Sequence, residues 1–597
     1  MRMSRFVAMV TALAATGAAL QAQQPAASTK KAAPKEPTFT SVSNQMLVDA
    51  RKNTDNWVVY GRDYTNQRWS PLTQINAKNA ASLKVAWIFQ TGISRLGSFE
   101  TSPLVVDGVM YLTRPENDVF ALDAETGRVM WTYSYRNPDR TYNCCGRVNR
   151  GLAIMGNRLF MNTLDMHVVA IDARSGRELW KTEMYDYTAS GGYAATGAPL
   201  AVKDKVIVGM AGGEHSISGF LDAYDAATGK HVWRFHTIPQ PGEPNFGTWA
   251  GDSWKTGGVA TWNNGSYDPE TNTVYWGTSN PWPDYNGDSR AGDNLYSCSV
   301  LALDADTGKL KWYYQLTPHD THDWDATQIP ILFDAPYRGS PRKLMAWAAR
   351  NGFYYLLDRN SGEFLFAKNF VRQTWAKGFD DKGRPQVIPG NDPTPEGIDT
   401  VFPGVDGGAN WMSHSYSPLT RLLYVFAREE RRVFTKGEIR HAAEANNAAP
   451  TGLSAIGMTS DGTGGGRGGR GGGNAPTNGI FGAGGNLPPA GGGRGRVRFA
   501  PEESWGKVVA IDPLSGTIKW EHKVLSPPWG GVMSTAGNLV FGGTPEGVVF
   551  ALDARTGERL WHFSANERVY ASPISFLVNG KQYVSLAVGD VLLTFGL

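Results

Sequence analysis

A short pattern of apolar and polar positions recurs along the chain. It reads as two apolar residues, an aspartate, two variable residues, Thr or Ser, Gly, three variable residues and an aromatic. It runs from Asp123 to Trp131, Asp172 to Trp180, Asp225 to Trp233, Asp304 to Trp312, Asp512 to Trp520 and Asp553 to Trp561. A copy from Asp358 to Phe366 carries phenylalanine in the last place. The apolar pair ends a strand. The aspartate and the Ser/Thr-Gly pair make a turn, with the side chain bonding local backbone and glycine taking a positive φ. The next strand carries an aromatic placed to pack between neighbouring units. Seven copies with a basic period near 50 residues predict a propeller or another β array.

The strand-like segment Leu83 to Trp87 looks like half of a further unit, which the final strands, Tyr583 to Leu597, complete from the other terminus. Such closure removes a free sheet edge. The expected fold is therefore all-β, an eight-bladed β-propeller with tryptophan-docking repeats; seven blades is the alternative. Successive aspartates are 49, 53, 79, 54, 154 and 41 residues apart, so two steps need extra chain. The 79-residue step holds Trp262, Asn280 and a loop rich in Asp, Asn and Gly. The 154-residue step holds a Gly/Arg-rich stretch at about 452–498, whose composition cannot bury a core and predicts a mobile surface insertion.

The first 22 residues have a basic start, a largely apolar run from Phe6 to Leu20 and a small-residue exit at Ala22, which predicts a cleaved secretory signal. Residues 23–45 read as a flexible linker and 46–597 as one propeller domain. No later segment is apolar enough to span a membrane, so the mature chain is expected in the periplasm. The 70 glycines and 20 tryptophans in 597 residues suit many short strands and tight turns. A net charge of +3 gives no field that calls for nucleic acid. Three cysteines are too few for a disulfide scaffold, and no C-x-x-C-H haem site exists.

Two of those cysteines, Cys144 and Cys145, are adjacent. Bridging them makes a strained ring that only an oxidising compartment would keep. With Asn149-Arg150-Gly151 and the repeat, they make the chain resemble the pyrroloquinoline quinone (PQQ)-dependent alcohol dehydrogenases over its whole length except the Gly-rich insertion. The resemblance implies a Cys144–Cys145 disulfide against one face of PQQ and Trp262 against the other. It implies a metal held by Glu214, Asn280 and Asp323, with Asp323 also the base that takes the alcohol proton while hydride passes to the quinone. A hard cation wants such oxygen ligands. Asp325, two residues on, matches members that use a lanthanide. A trivalent ion offsets the repulsion of a third carboxylate better than Ca²⁺ does. The implied cofactors are PQQ and a lanthanide ion (lanthanum, cerium or neodymium), with calcium the alternative.

The resemblance also implies that Arg350 bonds the quinone carbonyl oxygens in a catalytic role. Glu100, Arg150, Thr196, Asn410 and Trp529 match further cofactor contacts, and Gly212 and Gly213 let backbone approach the cofactor closely. Ala211 and Gly213 depart from the family's usual Ser and Ala. His319 and His322 read as structural, since His suits a hard ion poorly, and Cys298 reads as a buried core residue. The implied activity is oxidation of small primary alcohols to aldehydes, with electrons passed to a separate soluble cytochrome c or similar carrier. A homodimer is left open. The reading from another class, a propeller that only scaffolds, keeps the repeat but lacks Glu214, Asn280, Asp323 and the cysteine pair.

Overall fold

The computed structural model describes residues 38–92, 97–138, 141, 145–188, 192–436 and 504–597. The expected signal sequence, most of the linker and the expected Gly/Arg-rich insertion lie outside the described residues. Among the described residues no helix is long and apolar enough to cross a membrane.

Eight antiparallel sheets form the blades of a propeller. The sheet Leu104–Val106, Val109–Thr113, Val119–Asp123 and Val129–Tyr133 is typical. Its inner strands are buried almost throughout, because blades on both sides cover them, whereas the last strand is half-exposed. Hence the inner strands read as continuous apolar runs and only the outer ones alternate.

The ring closes as the sequence predicts. Lys84–Gln90 pairs antiparallel with Val591–Gly596, in register Phe89↔Leu592. The sheet with Met533–Thr535 gains a short parallel strand, Trp69–Ser70, and so has five.

The repeat explains how blades are held together. Each turn glycine takes a positive φ, from 67° at Gly516 to 75° at Gly557, and the aromatic of the preceding blade lies over it. A Cβ on Gly176 would sit 2.6 Å from the Trp131 ring, and the same contact recurs for Trp180 on Gly229 and Trp312 on Gly362. Phe366 meets Gly516 in the same way. The Trp131 indole N–H also donates to the residue after the aspartate, the Ala173 carbonyl at 3.1 Å, and that of Trp520 to the Ala554 carbonyl at 3.2 Å. Trp561 instead reaches the Leu83 carbonyl at 3.2 Å. The eighth blade takes its two outermost strands from opposite ends of the chain, so no repeat turn joins them. Seven repeats thus serve eight docking contacts.

The long steps leave the blades intact. Leu422–Glu429 and Trp505–Asp512 are paired neighbours, in register Leu423↔Ile511, so the chain between them leaves and re-enters one hairpin. Because strands alternate in direction, connections alternate between two faces. The repeat turns lie on one face, and the loops carrying Glu214, Trp262, Asn280, Asp323 and Arg350 lie on the other.

Candidate active site

Three loops are laced together backbone to backbone. The Thr278 carbonyl accepts from Ala326 N at 2.9 Å, and Ser279 N donates to the Ala260 carbonyl at 2.8 Å. A Cβ on Gly277 would lie 1.9 Å from the Ala326 carbonyl, so only glycine permits that approach. This lacing brings Trp262, Asn280 and Asp325 into contact. Asp325 accepts from Asn280 N at 2.6 Å through one oxygen and from the Trp262 indole at 2.9 Å through the other.

Arg350 reaches the same cluster from the turn after the strand Ser340–Ala348. Its two terminal nitrogens lie 2.9 Å from Asp323 and 2.9 Å from Asp325. Burial works against the arginine's charge, but the two carboxylates outweigh it and hold the guanidinium protonated. Asp323 has φ 60°, a left-handed conformation that is uncommon outside glycine. The Asp320 carboxylate shapes this bend by accepting from His322 N and Trp324 N.

The cluster holds more acceptors than donors. Asn280 Oδ1, Asp323 Oδ1 and Asp284 Oδ2 are buried and have no hydrogen-bond partner. Burial pushes the Asp323 carboxyl well above its ordinary range despite Arg350, and burial with Glu214 beside it does the same to Asp284. Glu214, in the loop after Lys205–Gly209, is pushed up to about 7 by burial and then by Asp325. Unpartnered carboxylate and amide oxygens around surplus negative charge fit a hard cation. Asp325 differs: both its oxygens already accept from protein donors. Among the described residues no group of three or more His, Cys, Asp or Glu side chains is arranged as a closed metal cage. Asn280 lies outside that count of residue types, and Arg350 stands between Asp323 and Asp325.

Beside this cluster Arg150 pairs with Glu100 at 2.8 Å and donates to Thr196 Oγ1 at 2.9 Å. Its guanidinium carbon lies 4.9 Å from the Trp262 ring centroid and 5.1 Å from that of Trp411. Arg150 Nε is buried without a partner. An unpartnered donor between flat rings fits an anionic aromatic ligand. Trp262 also joins an apolar group of Trp411, Met412 and Trp529. Gly213 permits close approach: a Cβ there would meet Ser279 Oγ at 2.4 Å and Asn280 Oδ1 at 2.8 Å. Gly212 has φ 120° and packs on the Gly192 carbonyl.

Some expected residues are already engaged by protein partners. The Asn410 amide donates to the Asp406 carbonyl and accepts from Trp411 N. Trp529 carries Arg428 at 3.9 Å over its ring. His322 stacks on Trp324 and contacts the Asn391 carbonyl at 2.8 Å, and burial lowers it to about 4. His319 contacts the Gly292 carbonyl. Cys298 is buried and free. Cys145 is half-buried before Gly146, and Cys144 lies outside the described residues. A cavity of about 770 Å³ lined by Tyr267, Asp334, Tyr416, Asp512 and Lys519 belongs to the repeat-turn face and contains none of these site residues.

Sequence reasoning passed over Asp284, Arg290 and Trp411. Asp284 and Arg290 lie in the Asp/Asn/Gly-rich loop that the sequence marks only as extra length. Arg290 is fully buried and donates to the Pro283 carbonyl at 2.8 Å and the Asp320 carbonyl at 2.6 Å, tying two site loops together.

The PQQ glucose/ethanol/alcohol dehydrogenase β-propeller domain matches residues 57–371 and 387–584. The chain belongs to this family. As a member of the PQQ-dependent alcohol dehydrogenases, it is 37% identical to quinoprotein alcohol dehydrogenase PedH of Pseudomonas putida, over 92% of this chain and 88% of that one. It is 36% identical to the lanthanide-dependent methanol dehydrogenase of Methylacidiphilum fumariolicum, over 92% and 87%. A europium-containing methanol dehydrogenase structure superposes with a TM-score of 0.79 at 32% identity, covering 93% of this chain and all of that one (100%).

Proposed function

We propose that this quinoprotein is a periplasmic, lanthanide-dependent dehydrogenase that oxidises small primary alcohols to aldehydes. The observation that carries the reading is the set of unpartnered buried oxygens on Asn280 and Asp323 beside the doubly paired Arg350. When bound, PQQ accepts the hydride and the cation polarises the carbonyl that receives it.

The chain's residues do the rest. Asp323 offers Oδ1 as the base for the hydroxyl proton, while Arg350 holds Oδ2 in place. Glu214, Asn280, Asp323 and Asp325 supply the oxygens for the cation. The third carboxylate, on Asp325, is the one that weights the site toward a +3 charge. Trp262 offers a ring face to PQQ, with the Cys144–Cys145 disulfide that the family resemblance implies on the other side. Arg150 Nε, Thr196 and Glu100 bind the polar edge, and Gly212 and Gly213 keep backbone close. Packing of the surrounding loops excludes water. A soluble cytochrome c or similar carrier takes the electrons away.

A calcium enzyme is the second reading, favoured by the three protein donors that already occupy Asp325. The test is dye-linked alcohol oxidation by apoprotein given PQQ with La³⁺ or with Ca²⁺. Activity with La³⁺ well above that with Ca²⁺ is expected; equal or better activity with Ca²⁺ overturns the lanthanide assignment.

A further inference from the structure

Asn280 can serve a cation only if its amide presents oxygen, not nitrogen, to it. The backbone does not decide this, because rotating the amide by half a turn exchanges the two atoms with little change in shape. The structure supplies a specific reason for one orientation. Asn280 Nδ2 donates to Asp284 Oδ1 at 2.7 Å. With a cation bound beside it the Asp284 carboxyl is ionised and only accepts, so it then faces the amide nitrogen and leaves Oδ1 turned away. That oxygen is the buried one without a partner, and it lies where the missing Cβ of Gly213 leaves room.

Asp284 is itself fixed. It is fully buried, and Arg290 grips the Pro283 carbonyl in front of it through two nitrogens, at 3.1 and 2.8 Å. The same arginine holds the Asp320 carbonyl, so the loop bearing Asp284 and the loop bearing Asp323 share one anchor.

We propose that Asp284 is a positioning residue of the cation site: it locks the Asn280 amide with its oxygen toward the cation. This rests on the cation reading given above. Asp284 acts through Asn280, so its effect must vanish when there is no amide to orient.

The experiment is a Tb³⁺ titration of PQQ-free protein, read by tryptophan-sensitised luminescence. Trp262, bonded to Asp325, is a near donor. Asp284→Ala is expected to weaken Tb³⁺ binding at least tenfold, and Asp284→Asn, whose carboxamide can still accept from Asn280 Nδ2, to recover a part of that loss. In an Asn280→Asp background, Asp284→Ala is expected to leave binding unchanged or tighter. Asp284→Ser replaces Asp284→Ala if the latter lacks the wild-type circular dichroism spectrum. Wild-type binding with Asp284→Ala within twofold of it, or an equal loss in both backgrounds, overturns this inference alone. No saturable signal from the wild type overturns the cation reading as well.

Discussion

Aspartates occur in two settings in this molecule, and they behave in opposite ways. At the repeat turns each one accepts from its own loop, and Asp304, Asp358 and Asp553 also accept from a neighbouring strand or turn. Asp225 accepts from Thr228 Oγ1 at 2.7 Å and from the backbone of Thr228 and Ala227, and these bonds hold its carboxyl below the ordinary range. In the central loops Asp284 and Asp323 each keep a buried oxygen with no partner, and burial drives both upward. The first arrangement stabilises a fold and leaves nothing over. The second leaves acceptors and charge uncompensated, which a fold by itself would not retain. Among the aspartates of the described residues, buried oxygens without a partner occur at Asp284 and Asp323 and at none of the repeat turns, and this separates the site from the scaffold.

This contrast can be broken at either end. The largest effect is expected from Asp323→Asn, which keeps size and shape but removes the base: turnover should fall by about a thousandfold or more, while PQQ binding and the melting temperature stay near wild type. Steady-state kinetics with differential scanning fluorimetry checks this, and a surviving kcat excludes Asp323 as the base. The converse is expected for Trp131→Ala. Removing a ring docked on Gly176 should cost about 3 kcal/mol or more of stability while the folded fraction keeps its kcat; a loss of activity without loss of stability would erase the distinction. Asp225→Ala is the smallest change, about 1 kcal/mol, from lost turn bonds. Its sign with pH is fixed: a carboxyl held low in the folded state stabilises above its unfolded pKa, and that contribution fades as pH falls through the folded value. Wild type and Asp225→Ala should therefore converge in acid denaturation at low pH, and a constant gap contradicts the argument.

The scaffold was legible because its physics is local and repeated. Asp, Thr/Ser-Gly and the aromatic lie within nine residues of each other, so each copy states its own turn and its own docking residue. Blade closure was legible for the same reason, since Leu83 to Trp87 keeps the strand half of the unit. Seven turns for eight blades became clear only with the pairing of Lys84–Gln90 and Val591–Gly596. The centre was legible only where the family resemblance supplied positions. Nothing local marks Asp284, whose role comes from an amide four residues earlier, or Arg290, whose partners include a carbonyl thirty residues later. The three protein donors on Asp325 were equally hidden, because they come from three different loops.

The most direct test of the central claim is a crystal structure of the protein loaded with PQQ and La³⁺, with the metal located by its anomalous scattering. One strong peak bonded to Glu214, Asn280 Oδ1, Asp323 and Asp325, with PQQ on the Trp262 ring, is the expected result. A peak on other residues, or none beside Asn280 and Asp323, would contradict the account.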